Sequence, residues 1–280
     1  ILTWHEIVND TVGGRPVSVT YCPLCNSGIV FDRRLGEKTY DFGTSGMLYK
    51  SDLVMYDRQT HSLWSQMEGR AIVGDLAGSR LTMLPANTLA YGEWKRLYPG
   101  GKVLSKDTGH FRSYGRNPYD GYDEPNSHPF LYFDKVDRRL PPKERVAGVL
   151  IGDGARAYAF GLLATRKVVA DTLGGQPLVV FFRPGTLSAL DRSVIAQSKD
   201  IGATAVWSPV VDGKTLTFEA IDAGFRDRET KSLWSLLGRC YDGPLTGKAL
   251  RPIIHVDAFW FAWAAFQPKT DIYEWTPSSR

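Results

Sequence analysis

The chain has 280 residues, 43% of them hydrophobic and 23% charged, enough to bury a substantial core. Its net charge of +4 comes from 34 Lys and Arg interspersed with 30 Asp and Glu, so it lacks the basic stripe of a nucleic-acid binder. No apolar run approaches the roughly 18–20 residues that span a bilayer, and three cysteines are too few for a disulfide framework. In chain order, residues 1–9 place Ile1, Leu2, Trp4, Ile7 and Val8 at helical spacing, and Gly13-Gly14 reads as the stop of that helix. Residues 17–21 form a β-branched and aromatic strand that ends at Cys22-Pro23, since proline removes a ladder donor. Residues 29–33, 39–42, 53–57 and 81–84 read as short strands. Thr88 is the expected N-cap of a helix running to Tyr98 and stopped by Pro99-Gly100-Gly101. Residues 105–145, with Tyr114, Tyr119, Tyr122, Phe130, Tyr132 and Phe133, are too aromatic for a solvated linker and predict an ordered crossover. Residues 146–160 read as a hairpin around Gly152-Asp153-Gly154, residues 250–254 as a strand, and Asp257 as the cap of a Trp-rich helix over 258–266.

The chain also contains itself twice. Asp10-Thr11-Val12-Gly13-Gly14-Arg15-Pro16 returns as Asp171-Thr172-Leu173-Gly174-Gly175-Gln176-Pro177, 161 residues on (171 minus 10). Asp57-Arg58-Gln59-Thr60-His61-Ser62-Leu63-Trp64-Ser65 returns as Asp227-Arg228-Glu229-Thr230-Lys231-Ser232-Leu233-Trp234-Ser235, 170 residues on (227 minus 57). These repeats predict an α+β protein of two tandem, related, β-rich units with a few helices each and mainly antiparallel or mixed sheets. The expected division is a first repeat over 1–104, the crossover over 105–145 and a second, degenerate repeat over 146–280. Leu163 aligns with Leu2, so the hairpin over 146–160 has no counterpart ahead of Ile1, which predicts a preceding segment absent from this sequence.

Residues shared by both copies are expected to build the fold, and residues peculiar to the first are candidates for function. Cys22-Pro23-Leu24-Cys25 is the sharpest of these. Two thiols at i, i+3 can chelate one ion or close a small disulfide. Thioredoxin-like activation at a helix N-terminus is missing, because Asn26 to Phe31 reads as turn then strand. His5 is the expected third ligand or base. It becomes Arg166 in the second copy, so it is lost together with both thiols. Soft Cys and His ligation would suit copper or zinc. The bland alternative is a pair of small buried residues. Thr44 and Ser45, in the glycine-rich stretch Phe42-Gly43-Thr44-Ser45-Gly46, are candidate ligand-binding residues, although a tight turn is the favoured reading of that stretch on its own. Gln66, replaced by Leu236, is expected to face something polar. Asn117, in Asn117-Pro118-Tyr119 of the crossover, completes the candidate ligand-binding set, and Tyr114 to Tyr119 could form a lid over the cysteines, although a packed loop is the favoured reading.

Trp4-His5-Glu6-Ile7-Val8-Asn9-Asp10, Thr20-Tyr21-Cys22-Pro23-Leu24-Cys25 and Leu63-Trp64-Ser65-Gln66, taken in order, resemble the prokaryotic family catalogued as domain of unknown function 3179. Asn117-Pro118-Tyr119 and Pro142-Lys143-Glu144-Arg145-Val146 fit the same family. The resemblance implies an extracytoplasmic location, because such proteins often carry an export signal or a lipoprotein-type N-terminus, and it implies no reaction. The leading expectation is therefore an extracytoplasmic protein with a soft-metal (copper or zinc) or thiol–disulfide site at Cys22, Cys25 and His5. It binds no nucleic acid and is not an integral membrane protein. The alternatives are a non-catalytic structural or assembly subunit that meets protein partners, and a small-molecule binding protein.

Overall fold

The structure, a computed structural model, describes residues 1–274. Positions 275–280, the end of the expected second repeat, lie outside the described residues. Five four-stranded sheets, two short ribbons and four short α-helices make up the regular elements described. The fold class is β-rich α+β with mainly antiparallel sheets; the strand pair that sets Arg156 opposite Asp271 is parallel.

Residues 1–9 do not form one helix. Helix α1 spans only Leu2–His5, Glu6 turns the chain at φ 58, and Ile7–Val12 pairs antiparallel with Arg15–Cys22. Ile7 and Val8 lie opposite Thr20 and Val19, a ladder that suits β-branched side chains better than another helical turn. Their helical spacing is incidental. Gly13 and Gly14, at φ 57 and 78, are the two central residues of a tight hairpin and not a helix stop. The same construction recurs 161 residues later. Helix α3 (Phe160–Arg166) is followed by Lys167 at φ 62, and Val168–Leu173 pairs with Gln176–Arg183 across Gly174-Gly175.

The second duplicated block is a side-chain knot. Asp57 Oδ1 accepts the Thr60 N–H at 2.6 Å, and its Oδ2 accepts the Trp64 indole N–H at 2.9 Å. Asp227 holds Thr230 and Trp234 at the same two distances. Both carboxylates and both indoles are fully buried, so each buried polar group carries its partner with it. The hairpins that lead into these knots differ in length. Phe42 pairs with Asp57, fifteen residues on, whereas Phe218 pairs with Asp227, nine residues on.

Two further helices close the structure. Helix α2 is Tyr91–Leu97, preceded by Ala90, and α4 is Trp260–Phe266, preceded by Phe259. Neither expected cap holds. Thr88 lies ahead of α2, and Asp257 lies inside the strand His255–Phe259, accepting the Thr204 hydroxyl at 2.5 Å. The helix starts are fixed instead by their leading N–H groups, which dock onto the opposite half of the chain. Phe259 N–H donates to the Cys25 carbonyl at 2.8 Å, and Trp260, Phe261 and Trp263 join the core around Cys22, Cys25, Met55 and Trp64. In the other direction, Ala90 N–H donates to Thr186 Oγ1 at 3.1 Å, and Leu89 packs on the core around Phe225 and Trp234. Thr186 stands 161 residues after Cys25, so the exchange is reciprocal.

Between the halves, residues 98–144 contain no helix or strand but are tied down by specific bonds. Asn117 N–H donates to the Ser193 carbonyl. Asp123 is gripped by Arg145, Ser188 and Lys199 at 2.6, 2.6 and 3.0 Å. Tyr122 reaches the segment between the two cysteines.

Candidate metal centre

Cys22 ends the strand Arg15–Cys22, and it pairs with Ser27 across a turn that brings Cys25 back beneath it. Pro23 starts the turn, Asn26 N–H donates to the Pro23 carbonyl, and Asn26 takes φ 51, which asparagine tolerates better than most residues. The Tyr21 hydroxyl donates to Asn26 Oδ1 at 3.0 Å and fixes that rotation. Cys22 is 2% exposed and Cys25 is fully buried, and both are free thiols.

The other wall is the hairpin Phe42–Tyr49 and Asp52–Asp57. Its two turn residues, Lys50 and Ser51, sit at φ 54 and 66. The tight turn requires those angles, and a non-glycine residue there costs about 1–2 kcal/mol. The turn aims the Ser51 carbonyl at both sulfurs, accepting from Cys25 Sγ at 3.5 Å and from Cys22 Sγ at 4.0 Å. Asp52 follows, fully buried. Its Oδ2 accepts the Met67 N–H at 2.9 Å, and its Oδ1 is buried without a hydrogen-bond partner among the described residues. The two Sγ atoms and an Asp52 carboxylate oxygen all lie within 4.8 Å of one another.

Burial dominates the electrostatics. It pushes the Asp52 carboxyl up to about 7, against the lowering effect of the Met67 N–H and the two thiols. Burial also pushes the Cys25 thiol well up, reinforced by Cys22 and Asp52 beside it. A thiol held in its neutral form is a poor nucleophile. A cation reverses this balance, because it favours both thiolates and the carboxylate at once. Tetrahedral ligand atoms about 2.0–2.3 Å from one ion lie about 3.3–3.8 Å apart, so a group already within 4.8 Å of one another needs to contract by at most about 1.5 Å to ligate. Two thiolates, a carboxylate and the Ser51 carbonyl make a four-donor set. The residues present therefore fit a metal ion, and the orphaned Oδ1 is the atom that most needs one.

The site is roofed by the crossover and by α4. The Tyr122 hydroxyl donates to the Leu24 carbonyl at 3.1 Å and accepts the Phe130 N–H at 3.2 Å. Ser51 Oγ donates to the Phe130 carbonyl at 2.5 Å. Lys143 Nζ donates to the Tyr122 carbonyl at 2.7 Å and lies 3.5 Å from the centre of its ring. The cover is thus residues 119–131, while the Tyr114 hydroxyl bonds His5 Nε2 and Thr108 Oγ1.

The other candidate residues have different places. His5 Nε2 bonds the Tyr114 hydroxyl at 2.6 Å and its ring stands 5.4 Å from that of His110, so Asp52 and not His5 accompanies the sulfurs. The short α1 turns the His5 ring toward the crossover. Gln66 does face polar groups. Its Nε2 donates to Thr20 Oγ1 and to the Ser27 carbonyl, and its Oε1 accepts the Ser27 hydroxyl at 3.0 Å, stitching the Cys22 sheet to the Asp52 sheet. Thr44 and Ser45 lie in a bulged strand and not in an open loop. Thr44 is exposed, and Ser45 Oγ donates to the Val54 carbonyl. Asn117 Oδ1 accepts the Tyr119 N–H at 2.8 Å and shapes the crossover, away from the sulfurs' ligand group. Asp52 was hidden in the sequence because Asp222 occupies the aligned position 170 residues on. Asp222 is exposed at a turn, since Ile221 already pairs with Gly224. The longer first hairpin was the available signal.

These features define a β-rich α+β protein with a buried Cys–Cys–Asp group that could hold a metal ion. The chain belongs to the family described as protein of unknown function (DUF3179), whose model matches residues 1–270. Comparison with curated proteins gave no match, and comparison with solved structures gave none. No helix among the described residues is long and apolar enough to cross a membrane.

Proposed function

We propose that this is an extracytoplasmic metal-binding protein in which Cys22, Cys25 and Asp52 hold one ion, with the Ser51 carbonyl as fourth donor. Zinc fits this set better than copper(I), because half of the donors are hard oxygens. The observation that carries the reading is the fully buried Asp52, whose Oδ1 has no hydrogen-bond partner among the described residues and which sits within 4.8 Å of two free thiols. Two protein anions and a carboxylate in a closed, tightly packed setting favour a resident ion over turnover of a substrate. The extracytoplasmic location follows from family resemblance. The repeated hairpins and knots support a duplicated architecture in which the first copy kept or gained the site.

Elemental analysis of protein purified from its native host without added metal tests the reading. About one zinc or copper per chain is expected, lost in Cys22→Ser and Cys25→Ser variants that remain folded by circular dichroism. Metal-free protein with a Cys22–Cys25 disulfide in mass spectrometry would replace this reading with thiol–disulfide chemistry.

A further inference from the structure

Arg183 stands 161 residues after Cys22 and, like Cys22, it ends its strand and precedes a proline. Around it the second half is built differently. The shorter hairpin turns between Ile221 and Gly224, so nothing corresponds to the Ser51–Asp52 corner that closes over the sulfurs. A cleft of about 650 Å³ lies there instead.

Three guanidinium groups line this cleft: Arg96 from α2, Arg183, and Arg239 from the segment leading into Cys240–Asp242. Tyr98 and Tyr241 flank them. Glu93 is the carboxylate paired there. It accepts from Arg96 at 2.9 Å, but at 3.7 Å from Arg183 Nη1 it is too distant to accept a hydrogen bond. Arg183 Nη1 is buried and has no hydrogen-bond acceptor among the described residues. The Arg239 guanidinium lies 5.6 Å over the Tyr98 ring and forms no ion pair among the described residues. Asp242, beside Tyr241, is exposed. Burial pushes the Tyr241 hydroxyl above its ordinary pKa, the charges of Arg183 and Arg96 pull it down, and Asp242 at the edge opposes them. The cations therefore converge on one volume.

A buried guanidinium N–H without an acceptor is costly unless something satisfies it. Guanidinium forks match the paired oxygens of a phosphate, and aromatic walls suit the cation and a ring attached to the anion. Three guanidinium groups against the Glu93 carboxylate, with Asp242 exposed at the edge, leave the cleft net positive, as an anion requires. We propose that this cleft binds the phosphate group of a small phosphorylated molecule, with Arg183 at its base and Arg96 and Arg239 at its rim. The second half thus presents an anion site where the first presents a cation site.

Calorimetric titration of the full chain with inorganic phosphate and with phenyl phosphate tests the proposal. One saturable site per chain is expected, tighter for phenyl phosphate if the tyrosines contribute. Arg183→Gln and Arg239→Gln should each weaken binding at least tenfold, whereas Lys248→Gln, an exposed cation outside the cleft, should leave it unchanged. Arg239 is exposed, so its variant reports even if Arg183→Gln fails to fold. Cys22→Ser should have no effect, which separates this site from the metal reading. Absence of saturable binding by either probe at millimolar concentration overturns the proposal. So does binding that survives Arg239→Gln intact, or that Lys248→Gln weakens equally.

Discussion

At the level of single residues, the proposed metal centre depends on groups buried away from water that become anionic when an ion binds. Asp52→Asn keeps the volume but removes the charge, and it is expected to weaken zinc binding by at least tenfold, as read by competition with a chromophoric chelator. The pH dependence has a definite sign. Binding displaces a proton from each thiol and, below about pH 7, a third from Asp52, whose carboxyl burial holds up to about 7. Affinity therefore rises with pH at every point, at about three protons per ion below pH 7 and about two above it, and a chelator competition series from pH 5.5 to 8 reads both slopes. The cysteines were legible in the sequence because the second copy lacks them. Asp52 was not, because a carboxylate persists at the aligned position; the shorter path after Phe218 was visible, but not that the longer hairpin reaches the sulfurs. The placing of His5 failed for a related reason. The residues after it form a strand, and Glu6 at positive φ swings the His5 ring to Tyr114.

At the level of elements, strand pairing overrode helical periodicity at residues 7–9, and docking onto the Thr186 hydroxyl at α2 and the Cys25 carbonyl at α4 replaced the expected caps. Both are tertiary effects that a window of sequence does not contain. The knots were legible, since Asp, Thr and Trp at fixed spacing in both copies leave few roles other than structure. Trp64→Phe and Trp234→Phe each strip a buried carboxylate of its indole donor. Each should cost about 1–3 kcal/mol, seen as a lowered midpoint in chemical denaturation, and the two losses should be similar. The crossover makes a separate prediction. Tyr122→Phe removes one hydroxyl that both donates to Leu24 and accepts from Phe130. It leaves all four donors in place, so zinc affinity should hold within a few-fold while the rate of metal extraction by excess chelator rises. An unchanged extraction rate would mean that the roof does not control access.

At the level of the whole molecule, the sequence shows two recurring blocks but not that α4 and the segment ahead of α2 each dock onto the opposite part of the chain. Helix α4, from the second half, completes the core around Cys22 and Cys25, and Leu89, just ahead of α2, packs on the core around Trp234. A chain covering only residues 1–104 lacks Phe259, Trp260, Phe261 and Trp263 from its thiol core. It is expected to show no cooperative thermal transition by circular dichroism and to bind zinc at least tenfold more weakly than the intact protein.

The exchange also sets the kinetics of assembly. In the intact chain the two halves meet at the effective concentration imposed by the crossover that joins them, so refolding yield is independent of protein concentration until aggregation intervenes. Cutting within residues 105–110 turns the same docking into a second-order encounter. The nicked protein then refolds at a rate proportional to concentration, although every contact in its final state is the same.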